Sequence, residues 1–126
     1  MYTKIFLTLM AALYLAFGLL SLLNPAGMTA SLDVEIGGPN GLYEMRGIYG
    51  GVSLAAAALC AAGALRAAMT RPALWFITIY MGGYVFARFA ALVLGPSPTS
   101  SYIGFVAFEV FALAAAVLLL RARRGA

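Results

Sequence analysis

Four long apolar runs, separated by short segments rich in breakers or charge, set the pattern of this chain. The first, Ile5 to Leu23, is 19 residues long, close to the roughly 20 needed to cross about 30 Å of hydrocarbon as α-helix. Lys4 gives it the positive start of a secretory signal, but the apolar core of such a signal is only about 7–15 residues long. We therefore read a retained span over residues 5–23. Asn24-Pro25 closes it and opens a short interfacial helix, with Asn24 as N-cap and Pro25 at the first helical position. Asp33 and Glu35 follow, and Gly37-Gly38-Pro39-Asn40-Gly41 turns the chain back.

The second span is predicted over residues 42–65, with Arg66 and Arg71 bracketing a very short connection. The third is predicted over 73–94, Pro72 standing at its start, where a proline is tolerated. Gly95-Pro96-Ser97-Pro98 ends it, because prolines cannot continue a hydrogen-bonded helix. The fourth covers 102–120 and runs into the basic tail Arg121-Ala-Arg123-Arg124. The expectation is a single membrane domain over residues 1–126, an all-α integral membrane protein built as a four-transmembrane-helix bundle.

Composition agrees: 64% of the 126 residues are hydrophobic and 10% charged, far from the usage of soluble domains. Histidine is absent and Cys60 is the only cysteine. No disulfide, metal site or cofactor motif follows from such a chain. The net charge of +4 comes from residues at helix ends, which argues against a nucleic-acid surface and for topology signals. One side of the predicted membrane has Lys4, Arg66, Arg71, Arg121, Arg123 and Arg124, whereas the other has Asp33 and Glu35 in its loops. Cytoplasmic segments hold the Lys and Arg excess. Both termini are accordingly expected in the cytoplasm, in a multi-pass protein of a bacterial inner membrane.

Gly47 and Gly51 form a G-x-x-x-G step that continues through Ala55 and Ala58, and Gly83, Ala87 and Ala91 make a similar stripe on the third span. Small residues let helices approach closely in lipid. The stripes suit packing inside the bundle or a face between two copies of the chain.

Glu44, Arg46, Arg88 and Glu109 remain once the topology signals are set aside. Arg88 is six residues from the outer end of its predicted span and Glu109 seven from its own, depths of roughly 9 and 10 Å. The two are expected to pair, since an arginine can give a carboxylate two parallel hydrogen bonds. Glu44 and Arg46 enter from the same side, slightly shallower, so two acids and two bases are expected to share the outer leaflet. Tyr80, Tyr84 and Arg88 recur at i, i+4 and i+8, and Tyr49 follows Arg46 by three. Tyr84 and Tyr49 are candidates for the same polar cluster, while Tyr102 and Trp75 suit headgroup anchoring. The cluster either clamps helices together or forms a cleft for a lipid headgroup, a quinone-like ligand or a small polar solute.

The run Glu44-Met-Arg46-Gly-Ile-Tyr49-Gly50-Gly51 resembles the E-x-R-x-x-Y-G-G signature of the family called domain of unknown function 4345. The likeness covers nearly the whole chain, including Gly18, Asn24-Pro25, Arg88, Gly95-Pro96-Ser97 and Glu109. Ala87 stands where that family often has glycine. The resemblance implies a four-span bacterial membrane protein of unassigned activity, similar in outline to the DoxX-like membrane proteins. It implies no substrate.

The expected function is a non-enzymatic module, an accessory subunit of a larger assembly or a binder of lipid-like ligands, with membrane lipids, a membrane complex or further copies of itself as partners. A small proton-coupled transporter working through Glu109 is the alternative. An enzyme is disfavoured, because no catalytic residue can be named: two carboxylates can serve as acid and base, but no nucleophile or cofactor motif accompanies them.

Overall fold

The computed structural model describes residues 1–124. All regular structure among them is helical, and four helices are long and apolar enough to cross a membrane: Tyr2–Leu23, Pro39–Leu65, Ala67–Leu94 and Ser100–Arg124. The chain forms two compact units, one over Met1–Thr70 and one starting at Arg71. The fold expected from the apolar runs, an all-α protein with four spanning helices, is the fold observed.

In the first unit, α1 (Tyr2–Leu23) ends at Asn24, whose N–H donates to the Leu20 carbonyl. The Asn24 Oδ1 atom accepts from Gly27 N–H at 3.0 Å and so caps α2 (Pro25–Ser31), with Pro25 in the first turn. This is the short helix the Asn-Pro pair predicts. Asp33 and Gly38 take positive φ, 56° and 129°, which reverses the chain before α3 (Pro39–Met45). The second span thus starts three residues earlier than the apolar run suggests, because Pro39 is well suited to a first helical turn.

That span is not uniform. Between α3 and α4 (Ser53–Leu65) lies a π-helical stretch, Arg46–Val52. A π turn adds a residue to the α-helical ladder, so side chains of α3 lie about 100° round from where a straight continuation of α4 puts them. Gly50 in this stretch is buried against α1, where an added Cβ would lie 3.3 Å from the Leu22 Cα and backbone nitrogen. A Cβ on Gly18 would lie 3.0 Å from the Leu54 side chain and 3.1 Å from the Gly50 carbonyl. Close approach between α1 and the second span therefore rests on Gly18 and Gly50. A Cβ on Gly47 would meet nothing within 4 Å, and one on Gly51 only its own helix's Arg46 carbonyl at 3.9 Å.

The buried face of α1 is Leu7, Met10, Tyr14, Gly18 and Ser21, and that of the facing helix Gly50, Ser53, Ala57, Cys60 and Gly63. Both follow the helical repeat. The seam is small on one side and mixed on the other, as expected where the solvent is as apolar as the side chains. Ser21 is fully buried and its Oγ has no hydrogen-bond partner among the described residues.

Arg66 alone, in extended conformation, separates α4 from α5 (Ala67–Leu94). The third span begins well before the expected 73, and Pro72 lies inside it. Ala67 and Ala68 have high helix propensity, and Thr70 Oγ donates to the Gly63 carbonyl at 2.8 Å, satisfying an acceptor left over at the end of α4. In the second unit a 3₁₀ turn, Ser100–Tyr102, leads into α6 (Ile103–Arg124), so the basic tail is the last turn of a helix. A Cβ on Gly82 would lie 3.8 Å from Leu113 Cδ1, whereas one on Gly83 would meet nothing within 4 Å.

Candidate functional site

The polar site of the second unit is built on one face of α5. Phe76, Tyr80, Tyr84 and Arg88 follow at intervals of four residues, which stacks them along the helix. Phe76 and Tyr80 rings lie parallel with centroids 5.1 Å apart, Tyr80 and Tyr84 meet edge to face at 5.2 Å, and the two tyrosine hydroxyls are 3.5 Å apart. This ladder ends on Arg88. The guanidinium lies 5.5 Å from the Tyr84 ring centre and 5.3 Å from that of Tyr102, within the range of cation–π attraction.

Arg88 donates from Nε to Glu109 Oε2 at 3.1 Å and from Nη2 to Oε1 at 2.8 Å. Depth matching predicts this pair, and the fork geometry is the strong form of the interaction. The two side chains differ in exposure, 34% for Arg88 and 9% for Glu109. Two of the five guanidinium N–H donors are used by the carboxylate, leaving three. The pair is neutral as a unit, yet it keeps hydrogen-bonding capacity on the exposed arginine edge.

Tyr102 is the member that sequence reasoning assigns elsewhere, to headgroup anchoring. It precedes Glu109 by seven residues, two helical turns, so a shared face was the available signal. Its placement on the 3₁₀ turn before α6 lets its ring reach Arg88 while also meeting Phe105 at 5.8 Å.

The first unit holds the other candidates. Arg46 opens the π stretch and donates from Nε to the Leu22 carbonyl at 3.1 Å. That oxygen belongs to the last turn of α1, whose carbonyls lack intrahelical partners and carry the negative end of the helix dipole. Arg46 thus serves α1 as a cap supplied by a neighbouring helix. Tyr49, also in the π stretch, sets its ring 5.6 Å from that of Phe17. Glu44 is exposed and makes no ion pair among the described residues. Of the expected cluster, then, Arg88, Glu109 and Tyr84 are brought together in one unit, while Arg46 and Tyr49 are tied to α1 in the other.

The π stretch coincides with the Arg-Gly-Ile-Tyr-Gly-Gly portion of the motif singled out in the sequence. The family model described as domain of unknown function (DUF4345) matches residues 2–120. The chain belongs to this DUF4345 family. No curated protein and no solved structure matches it. The DUF4345 match spans both the π stretch with its capping arginine and the paired Arg88 and Glu109.

Proposed function

We propose that the protein is a non-catalytic membrane module whose polar site between α5 and α6 holds the headgroup of a lipid-like, amphipathic ligand. The observation that carries this reading is the asymmetry of the ion pair. Glu109 is buried with both carboxylate oxygens engaged by Arg88, while Arg88 keeps an exposed edge with unused donors between two tyrosine rings. A residue needed only to neutralise Glu109 gains nothing from that edge, and a charge kept within a spanning helix is costly enough to suggest use. Aromatic faces beside a guanidinium suit the apolar neck of an amphiphile as well as its polar head.

The Lys and Arg count supports cytoplasmic termini in a bacterial inner membrane, with this site toward the outer leaflet. Service as an accessory subunit is compatible with the same site, the bound amphiphile then lying at a protein contact. Proton-coupled transport through Glu109 ranks second, because its carboxylate must first give up both hydrogen bonds from Arg88.

Native mass spectrometry after purification in mild detergent tests the reading. The wild type should retain lipid-sized adducts or a partner subunit, Arg88→Gln should carry one fewer than the wild type, and Glu44→Gln should carry as many. A bare monomer in the wild type, or an adduct number unchanged by Arg88→Gln, refutes binding at this site. Solute flux in proteoliposomes abolished by Glu109→Gln would instead favour transport.

A further inference from the structure

The opposite end of the second unit carries a second, differently built arrangement. Arg124 lies over the ring of Trp75 with its guanidinium carbon 5.8 Å from the ring centre. Arg71 precedes Trp75 by four residues on α5, and Arg121 precedes Arg124 by three on α6, so each shares a helix face with the residue in that contact. All four are exposed. The helix dipole accounts for cations in the last turn of α6. It offers nothing to Arg71, which stands in the opening turns of α5, the positive end of that helix. No aspartate or glutamate occurs between residues 71 and 81 or between 113 and 124, so no protein carboxylate within these stretches neutralises the group.

One turn deeper along the same helix faces, Ile79 follows Trp75 by four residues and Leu118 precedes Arg121 by three, and both are exposed. The order from the end inward is therefore three guanidiniums, an indole, then exposed aliphatic side chains. We infer that this end of α5 and α6 binds an anionic phospholipid of the adjoining leaflet, its phosphate taken by Arg71, Arg121 and Arg124 and its acyl chains laid along Ile79 and Leu118. Guanidinium forks match phosphate oxygens in pairs, and indole rings favour the headgroup boundary. The site is independent of the Arg88 and Glu109 site.

Trp75 is the only tryptophan in the chain, so its fluorescence reports this site directly. The full chain is reconstituted into vesicles of phosphatidylcholine containing a minor fraction of lipid with brominated acyl chains, the brominated lipid being either phosphatidylglycerol or phosphatidylcholine. Brominated phosphatidylglycerol is expected to quench Trp75 more strongly at equal mole fraction. Arg121→Gln and Arg124→Gln should each lower the preference about fivefold, the effect of one basic residue near an anionic surface, while Arg124→Lys should retain most of it. Arg123→Gln, off the shared face, should change it least. Equal quenching by the two lipids in the wild type overturns the proposal. So does an equal loss in all three glutamine variants, which marks general attraction to a basic tail without a site at Trp75.

Discussion

Arg46 and Arg88 are both single arginines within spanning helices, yet each is stabilised in a different way. Arg46 is answered by backbone: it donates to the Leu22 carbonyl at the end of α1, stays exposed, and has no acid partner among the described residues. Arg88 is answered by a side chain, the buried carboxylate of Glu109, and by two aromatic faces. The first arrangement costs little to lose because water or lipid headgroups can replace it. The second leaves a buried charge behind when broken. An arginine in a membrane helix is thus no single kind of feature, and its importance depends on what remains when it is removed.

The largest effect expected from this contrast is at Arg88. Replacing Arg88 by Ala should destabilise the protein by about 2–4 kcal/mol, discounted for the partial exposure of the arginine, because Glu109 stays buried without a partner. The double variant Arg88→Leu with Glu109→Leu should recover most of that loss. Reversible unfolding in mixed micelles measures both. A double variant no more stable than Arg88→Ala would mean that the pair organises the helices and does not merely neutralise itself.

Gly50→Ala comes next, at about 1–2 kcal/mol, because the new methyl meets Leu22 backbone that cannot swing aside. Gly47→Ala, with nothing within 4 Å, should be neutral or slightly stabilising in the same measurement. Equal effects at the two glycines would contradict the close approach at Gly50. Arg46→Gln should cost only about 0.5–1 kcal/mol, the scale of one exposed interaction with a helix end. A loss as large as that of Arg88→Ala would erase the distinction drawn between the two arginines. The smallest change expected is a gain: Ser21→Ala removes a fully buried hydroxyl that has no partner among the described residues, and stability should rise by at most about 1 kcal/mol.

Much of this was legible beforehand. The runs from Ile5, Leu42, Ala73 and Tyr102 locate all four spans, since spanning lipid demands length and apolarity that few other structures share. Asn24-Pro25 announces the cap it forms. Pro72 misleads because proline is frequent in first turns, whereas here the helix has begun five residues earlier and the proline is accommodated inside it. Gly47, Gly51 and Gly83 repeat at packing intervals, but the intervals do not say which face is covered, and the close contacts fall to Gly18 and Gly50. The π stretch left no periodic signal of its own, because its glycines read equally well as an α-helical packing stripe.

What the sequence by itself determined is the set of helices long and apolar enough to span a membrane and the pairing of Arg88 with Glu109, each following from length, rise per residue and the cost of charge in lipid. The tertiary structure alone decided the partner of Arg46, the place of Tyr102 beside Arg88, and the seating of Arg124 on Trp75. Those outcomes depend on contacts between residues on different elements. Helix phase and local backbone form, such as the π stretch, set such contacts, and neither is encoded in hydrophobicity.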